Sequence, residues 1–251
     1  MSSRVRVDAP RRTAWGASEY NYGLMNSASR RPYISPLRAR RARQTTDVIL
    51  SAARELFVTQ GYTRTTIDQI ADRAGVSRPT VFASAGNKRE LLKQLRDLAL
   101  AGDEEPVPVI QRSWYQEALT EPDSERSVRL HARNMTRIFQ RYAGLDEVIH
   151  QAAGSDPELR EFWAASESQR RTGARTFIDA LMAKGPLRQG LDRDAAIDVL
   201  WAVTATDPYR RLVGESGWSA ERFERWLAHT LCDQLLPADR IIGRTRVDTP
   251  T

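Results

Sequence analysis

The sequence predicts an all-α chain built as two helical units, and three observations carry that prediction. Apolar residues recur at spacings of three and four over most of residues 45–236, while the period-two alternation of strands is absent. Thr66 with Gln69 and Asn87 with Glu90 read as capping boxes, each opening a periodic stretch. The acidic segment 103–108, with Pro106 and Pro108, reads as the crossing between the two units.

The elements follow in order. Residues 1–43 mix Ser, Gly, Pro, Asn and Arg without periodicity, so they are expected to form a basic, disordered arm. From Thr45 onward Ile49, Ala52, Ala53, Leu56 and Phe57 give a helix one buried face, and Gly61 stops it in a left-handed conformation. Thr66 caps a second, short helix with Ile67, Ile70, Ala71 and Ala74 on its inner face, ended by Gly75. Ser77 caps a third through Phe82, with Pro79 in a first turn whose amides lack partners anyway. A fourth runs from Asn87 through Leu91, Leu92, Leu95 and Ala99 and fades near Gly102. Further helices are expected near 111–119, 125–142, 144–153, 157–183, 193–206 and 219–236, the last after a Ser219 cap. The division expected is therefore an arm at 1–43, a first domain at 44–101, a second at 109–236 and a flexible tail at 237–251.

Charge is distributed unevenly. Residues 1–43 hold ten arginines against two carboxylates, 44–96 eight basic side chains against five acidic, and 97–251 twenty against twenty-five. Basic charge confined to the first third is the footprint of an end that meets a polyanion, and the cluster Arg38, Arg40, Arg41 and Arg43 abuts the first periodic segment, where it could reach phosphates. No run approaches the ~18 apolar residues of a membrane span, and the N-terminus lacks the apolar core of a secretory signal, so a cytoplasmic protein without a membrane partner is expected. Cys232 is the single cysteine and is expected to pack as an apolar residue.

Three short helices with a tight turn between the second and third make a helix-turn-helix of the homeodomain-like kind, whose third helix can enter the major groove of double-stranded DNA. Gly75 supplies the turn, Ile70, Ala74 and Val81 the inner face, and Ser77, Arg78, Thr80 and Ser84 the polar outer face. At "AARELFVTQGYTRTTIDQIADRAGVSRPTVFASAGNKRELL", residues 52–92, the chain resembles the TetR family of transcriptional regulators. A looser likeness covers residues 213–236, "VGESGWSAERFERWLAHTLCDQLL".

That resemblance implies an N-terminal DNA-binding domain, a helical C-terminal domain for dimerisation and effector binding, and a repressor released from a near-palindromic operator by a small molecule. It implies that Thr65 and Thr66 hold phosphate through hydroxyls and free amides, that Lys88 is another phosphate contact, and that Arg78, Thr80 and Ser84 face base edges. The family commonly has a tyrosine at the place of Phe82, followed by more aromatics, whereas Ala83, Ser84 and Ala85 stand here. Phe82 cannot give the phosphate hydrogen bond that a tyrosine hydroxyl would. The same resemblance implies a homodimer paired through the helices near 193–206 and 219–236.

Tyr142, Phe162, Trp163, Phe177 and Trp201 are candidates for lining an effector cavity, although apolar residues at helical spacing more often form plain core. His131, His150 and His229 have no Cys or carboxylate at metal-site spacing, so neither a metal nor a cofactor is expected. G-x-S-x-G, P-loop, G-x-G-x-x-G and H-E-x-x-H patterns are all missing, which argues against an enzyme. The alternative is a TetR-like adaptor or DNA-bridging protein without an effector.

Overall fold

The computed structural model describes residues 36–238 apart from 104 and 106, and the described residues form helices joined by turns. Most of the expected tail and most of the expected arm lie outside the described residues.

Helix α1 spans Pro36–Gln60, α2 Ile67–Ala74, α3 Arg78–Ala85 and α4 Lys88–Ala101. Ile49, Ala53 and Phe57 of α1 bury completely with Ile70 of α2, Val81 of α3 and Leu91 and Leu92 of α4. At ~1.5–3 kcal/mol for each large apolar side chain taken from water, this cluster is what holds the short helices, since eight residues make no stable helix alone. Capping fixes their ends. Thr66 accepts from Gln69 N–H at 3.2 Å while the Gln69 side chain accepts from Thr66 N–H at 2.9 Å, and Asn87 and Glu90 repeat the arrangement at α4. Gly75 ends α2 at φ 68°, ψ 32°, a left-handed conformation that turns the chain straight into the Ser77 cap of α3.

One boundary differs from expectation. α1 starts at Pro36 instead of near Thr45, so the part of the arm from 36 to 43 is helical. Arg40, Arg41 and Arg43 stay in water and leave no apolar period to read, but a helix already nucleated at 45–57 propagates at little cost through arginine and alanine.

A 3₁₀ turn at Val109–Gln111 leads into the second unit: α5 Ser113–Thr120, α6 Ser124–Ala153, α7 Pro157–Met182, α8 Arg193–Val203, α9 Thr206–Tyr209 and α10 Ala220–Leu235. Helix α6 is its axis, with α4, α5, α7, α9 and α10 packed around it. It runs unbroken through 143, where two helices were expected, because a mid-helix glycine lowers propensity without stopping a helix held on several sides. Val58 of α1 crosses at that point, its Cγ1 3.5 Å from where a Cβ on Gly144 would stand.

The expected helix 193–206 ends at Val203, where the Thr204 hydroxyl donates to Leu200 O at 2.6 Å. A new helix begins at Thr206, placing Pro208 in a first turn, and widens into a π-type turn at Arg210–Glu215. Cys232 is fully buried on α10 and burial pushes its thiol up to about 11, which leaves it an inert packing residue. Among the described residues no helix is long and apolar enough to cross a membrane.

Candidate nucleic-acid interface

Helix α3 turns Val81 and Ala85 inward and leaves Ser77, Arg78, Phe82 and Ala83 exposed, with Thr80 and Ser84 half-buried at the margins. The Ser77 hydroxyl caps Thr80 N–H at 3.3 Å and lies 2.7 Å from the Thr80 hydroxyl, so the two share protons at the start of the helix. Arg78 reaches along the surface, its Nη1 3.4 Å from both Asp68 carboxylate oxygens and its guanidinium 5.8 Å from the Phe82 ring centre. Both partners of that ion pair are well exposed, so the pair is weak and exchangeable. Phe82 is 45 % exposed, an aromatic face held out to solvent beside an arginine.

The N-terminus of α2 lies next to this surface. Thr66 is exposed, with its hydroxyl engaged as the helix cap. Thr65, by contrast, is fully buried and its hydroxyl donates to Gly61 O at 2.8 Å, so the side chain does not face the solvent that a phosphate would occupy. Lys88 is half-buried: its Nζ donates to Tyr62 O at 2.9 Å and Thr65 O at 3.0 Å and stands 4.2 Å from the Tyr62 ring centre. Desolvation lowers its pKa, with Asp156 pulling the other way. In this geometry Lys88 closes the turn after α1. Arg40, Arg41 and Arg43 are exposed and form no ion pair among the described residues. Thr46, one turn further along α1, lies with its hydroxyl 3.5 Å from Ser84 O, which sets the basic start of α1 beside the end of α3.

The two units are tied across α4. Arg89 donates to Asp156 at 2.8 Å and Glu158 at 3.2 Å, and this contact holds the Asp156 carboxyl below its ordinary range. Arg54 donates to Arg141 O at 2.7 Å, and Arg141 Nε to Ala99 O at 2.9 Å. None of these ties is visible in local sequence, because each joins residues more than forty positions apart.

A partly open cavity of about 230 Å³ lies between α4, α6, α7 and the α8–α9 turn. Of the five aromatic candidates, Tyr142 lines it; its hydroxyl donates to Asp146 at 2.7 Å. Phe177 is completely buried and stacks on His131 with ring centres 4.1 Å apart. Phe162 packs against Lys93 and Arg96, Trp163 lies against His150, and Trp201 has the Arg170 and Arg171 guanidiniums near its ring. Those four rings fill the helix packing and do not line the cavity. His131, Arg96 and Tyr115 do line it. For His131 a signal exists in the sequence: Val128, His131, Ala132, Met135, Ile138, Phe139 and Tyr142 form one stripe of α6.

Comparison with known proteins agrees with this arrangement. The family model for bacterial regulatory proteins of the tetR family matches residues 49–95. The HTH-type transcriptional regulator YdeS of Bacillus subtilis is 30% identical over 161 residues, covering 62% of this chain and 74% of that protein. The HTH-type regulator TtgW of Pseudomonas putida is 36% identical over 117 residues, 45% of this chain and 85% of TtgW. In fold, the chain is similar to SmeT, the repressor of the Stenotrophomonas maltophilia multidrug efflux pump SmeDEF, with a TM-score of 0.57 at 19% identity over 84% of this chain and 98% of SmeT. A SmeT–triclosan complex gives a TM-score of 0.56 at 20% identity, over 83% of this chain and 99% of that one.

Proposed function

Since the chain belongs to the TetR family of bacterial regulatory proteins and is a DNA-binding transcriptional regulator, we propose that it acts as a homodimeric repressor that leaves a near-palindromic operator when a small molecule enters the second unit. The observation that carries the reading is the α3 surface: an arginine, two hydroxyls and an exposed aromatic ring on a capped helix whose other face is locked into the core. A helix so presented fits a major groove, and two copies related by a two-fold axis read half-sites about 34 Å apart.

Within that reading Arg78 leaves Asp68 for a guanine edge, the bidentate contact for which a guanidinium is suited. Thr66 and the free amides of the first turn of α2 take a phosphate, helped by the positive end of the helix dipole. Lys88 acts from behind by fixing the turn that carries Thr65 and Thr66. Dimerisation falls to α8 and α10, which pack side by side and leave Val199 and Trp226 only part-buried in the single chain. SmeT, a repressor that also forms a complex with triclosan, supports a ligand-responsive repressor as the form to test first.

The test is selection of genomic fragments by the purified full chain across a salt series, with Arg78→Ala alongside. Enrichment of a near-palindrome, with Arg78→Ala costing ~1–3 kcal/mol and relaxing preference at one base of each half-site, supports the reading. Equal affinity for all fragments at every salt would falsify it.

A further inference from the structure

The cavity in the second unit has a one-sided charge. Its charged lining residues are Arg96 and Arg170, and among the described residues no aspartate or glutamate lines it. Asp146, beside the lining residue Tyr142, has its two oxygens taken by the Tyr142 and Thr206 hydroxyls. Arg170 is already satisfied, with Nη1 3.0 Å from Glu167 and Nη2 2.7 Å from Trp201 O.

Arg96 is different. Nη1 pairs with the exposed Asp97 at 2.9 Å, Nη2 donates to Gln169 at 2.9 Å and the guanidinium lies against the Tyr142 hydroxyl, but Nε is buried without a well-directed hydrogen bond among the described residues. A charged donor left unpaired away from water is costly, and the Nε–Nη2 edge is the fork that a carboxylate takes with two parallel bonds. Gln169, a neutral and replaceable acceptor, holds half of that fork in the free chain.

We propose that the cavity takes a small organic anion, a carboxylate on a compact apolar body, with Arg96 as its charge partner. Leu100, Ile138, Phe139 and Leu200 supply the apolar wall, and a volume of about 230 Å³ sets the size of the body. Pockets for drug-sized ligands begin near ~300 Å³, so one ring or a short acyl chain fits and a multi-ring compound does not. A cation would find no carboxylate on the lining, since Asp97 and Glu167, the partners of the two arginines, lie off it. His131 adds no charge of its own at neutral pH, since burial pushes it down to about 4, and it serves as a neutral hydrogen-bonding ring beside the ligand.

This inference rests on the reading of the second unit as a ligand-responsive domain, and the experiment separates the two. Full-length protein is titrated, by calorimetry and thermal shift, with 3-phenylpropionate, its primary amide and the corresponding amine, and with octanoate, octanamide and octylamine. Operator affinity is measured in the same samples. The expected result is binding of the carboxylates at least about tenfold tighter than amide or amine, a preference abolished in Arg96→Gln and partly restored in Arg96→Lys. Should Arg96→Gln fail to fold by circular dichroism, the wild-type ranking within each matched set decides alone.

Equal or tighter binding of an amide or amine, persistence of the carboxylate preference in folded Arg96→Gln, or no binding by any of the six compounds overturns the anion site. Carboxylate binding that leaves operator affinity unchanged upholds the anion site and removes the release mechanism. Amine binding that releases DNA does the reverse.

Discussion

Gly86, which joins α3 to α4, sits at φ 80°, ψ −153°, a region that side-chain-bearing residues hardly enter. A Cβ there would stand 2.0 Å from Glu90 Oε2, the oxygen that accepts the Asn87 N–H in the α4 cap. Gly75 has a left-handed φ too, yet open space around it. In urea titrations Gly75→Ala is therefore expected to cost about 1 kcal/mol, and Gly86→Ala about 3 or more because strain and a broken cap add. Equal costs would mean that Glu90 swings away freely. His131 gives a second prediction, with a definite sign. The folded chain holds it neutral down to about 4, whereas the unfolded chain protonates it near 6.5. Stability from this residue is complete above pH ~6.5 and is lost as pH falls from there toward 4, by up to about 3 kcal/mol. His131→Leu should flatten that slope in urea midpoints taken between about pH 7 and 4.5, and an unchanged slope would place the proton uptake elsewhere.

At the scale of elements, the basic start of α1 has a measurable consequence. Arg40, Arg41 and Arg43 extend one to two turns beyond the point where Thr46 meets α3, which in the proposed DNA complex would set them against phosphates flanking a half-site. Replacing all three by Gln is expected to weaken binding to every sequence alike and to shallow the log–log salt dependence by up to ~0.9 for each phosphate left unneutralised. A triple variant that changed base preference without changing the salt slope would contradict this placement. The sequence makes the short helices legible, since Thr66, Ser77 and Asn87 mark where they start and Gly75 where α2 stops. Three features stay hidden in it. Propagation of α1 back to Pro36 needs no apolar pattern, and the π-type turn at Arg210–Glu215 has no local code. The inward hydroxyl of Thr65 depends on a carbonyl four residues earlier that only the folded turn presents. The cavity is harder still: Arg96 and His131 meet there by convergence of α4 and α6, while most large rings of the second unit are used up in packing.

For the whole molecule, the proposed dimer makes each operator contact conditional on the other. Trp226→Glu, and Val199→Glu as an independent probe of the same face, should sediment as monomers and lose about 100-fold or more in operator affinity as the two heads become unlinked. Dimers of unchanged stability would move the pairing to another surface. Helix α4 also has a mechanical meaning. Its first turn carries Lys88, latched to the turn before α2, and Arg89, latched to the start of α7; its last turns carry Arg96 and Leu100 at the cavity and Ala99 under Arg141. Fourteen residues at 1.5 Å each make a rod of ~21 Å with a bearing at either end. Tilted by ~10° about the Arg141 end, such a rod sweeps its far tip by roughly 4 Å, which in the proposed dimer would shift one head relative to the groove that its partner occupies.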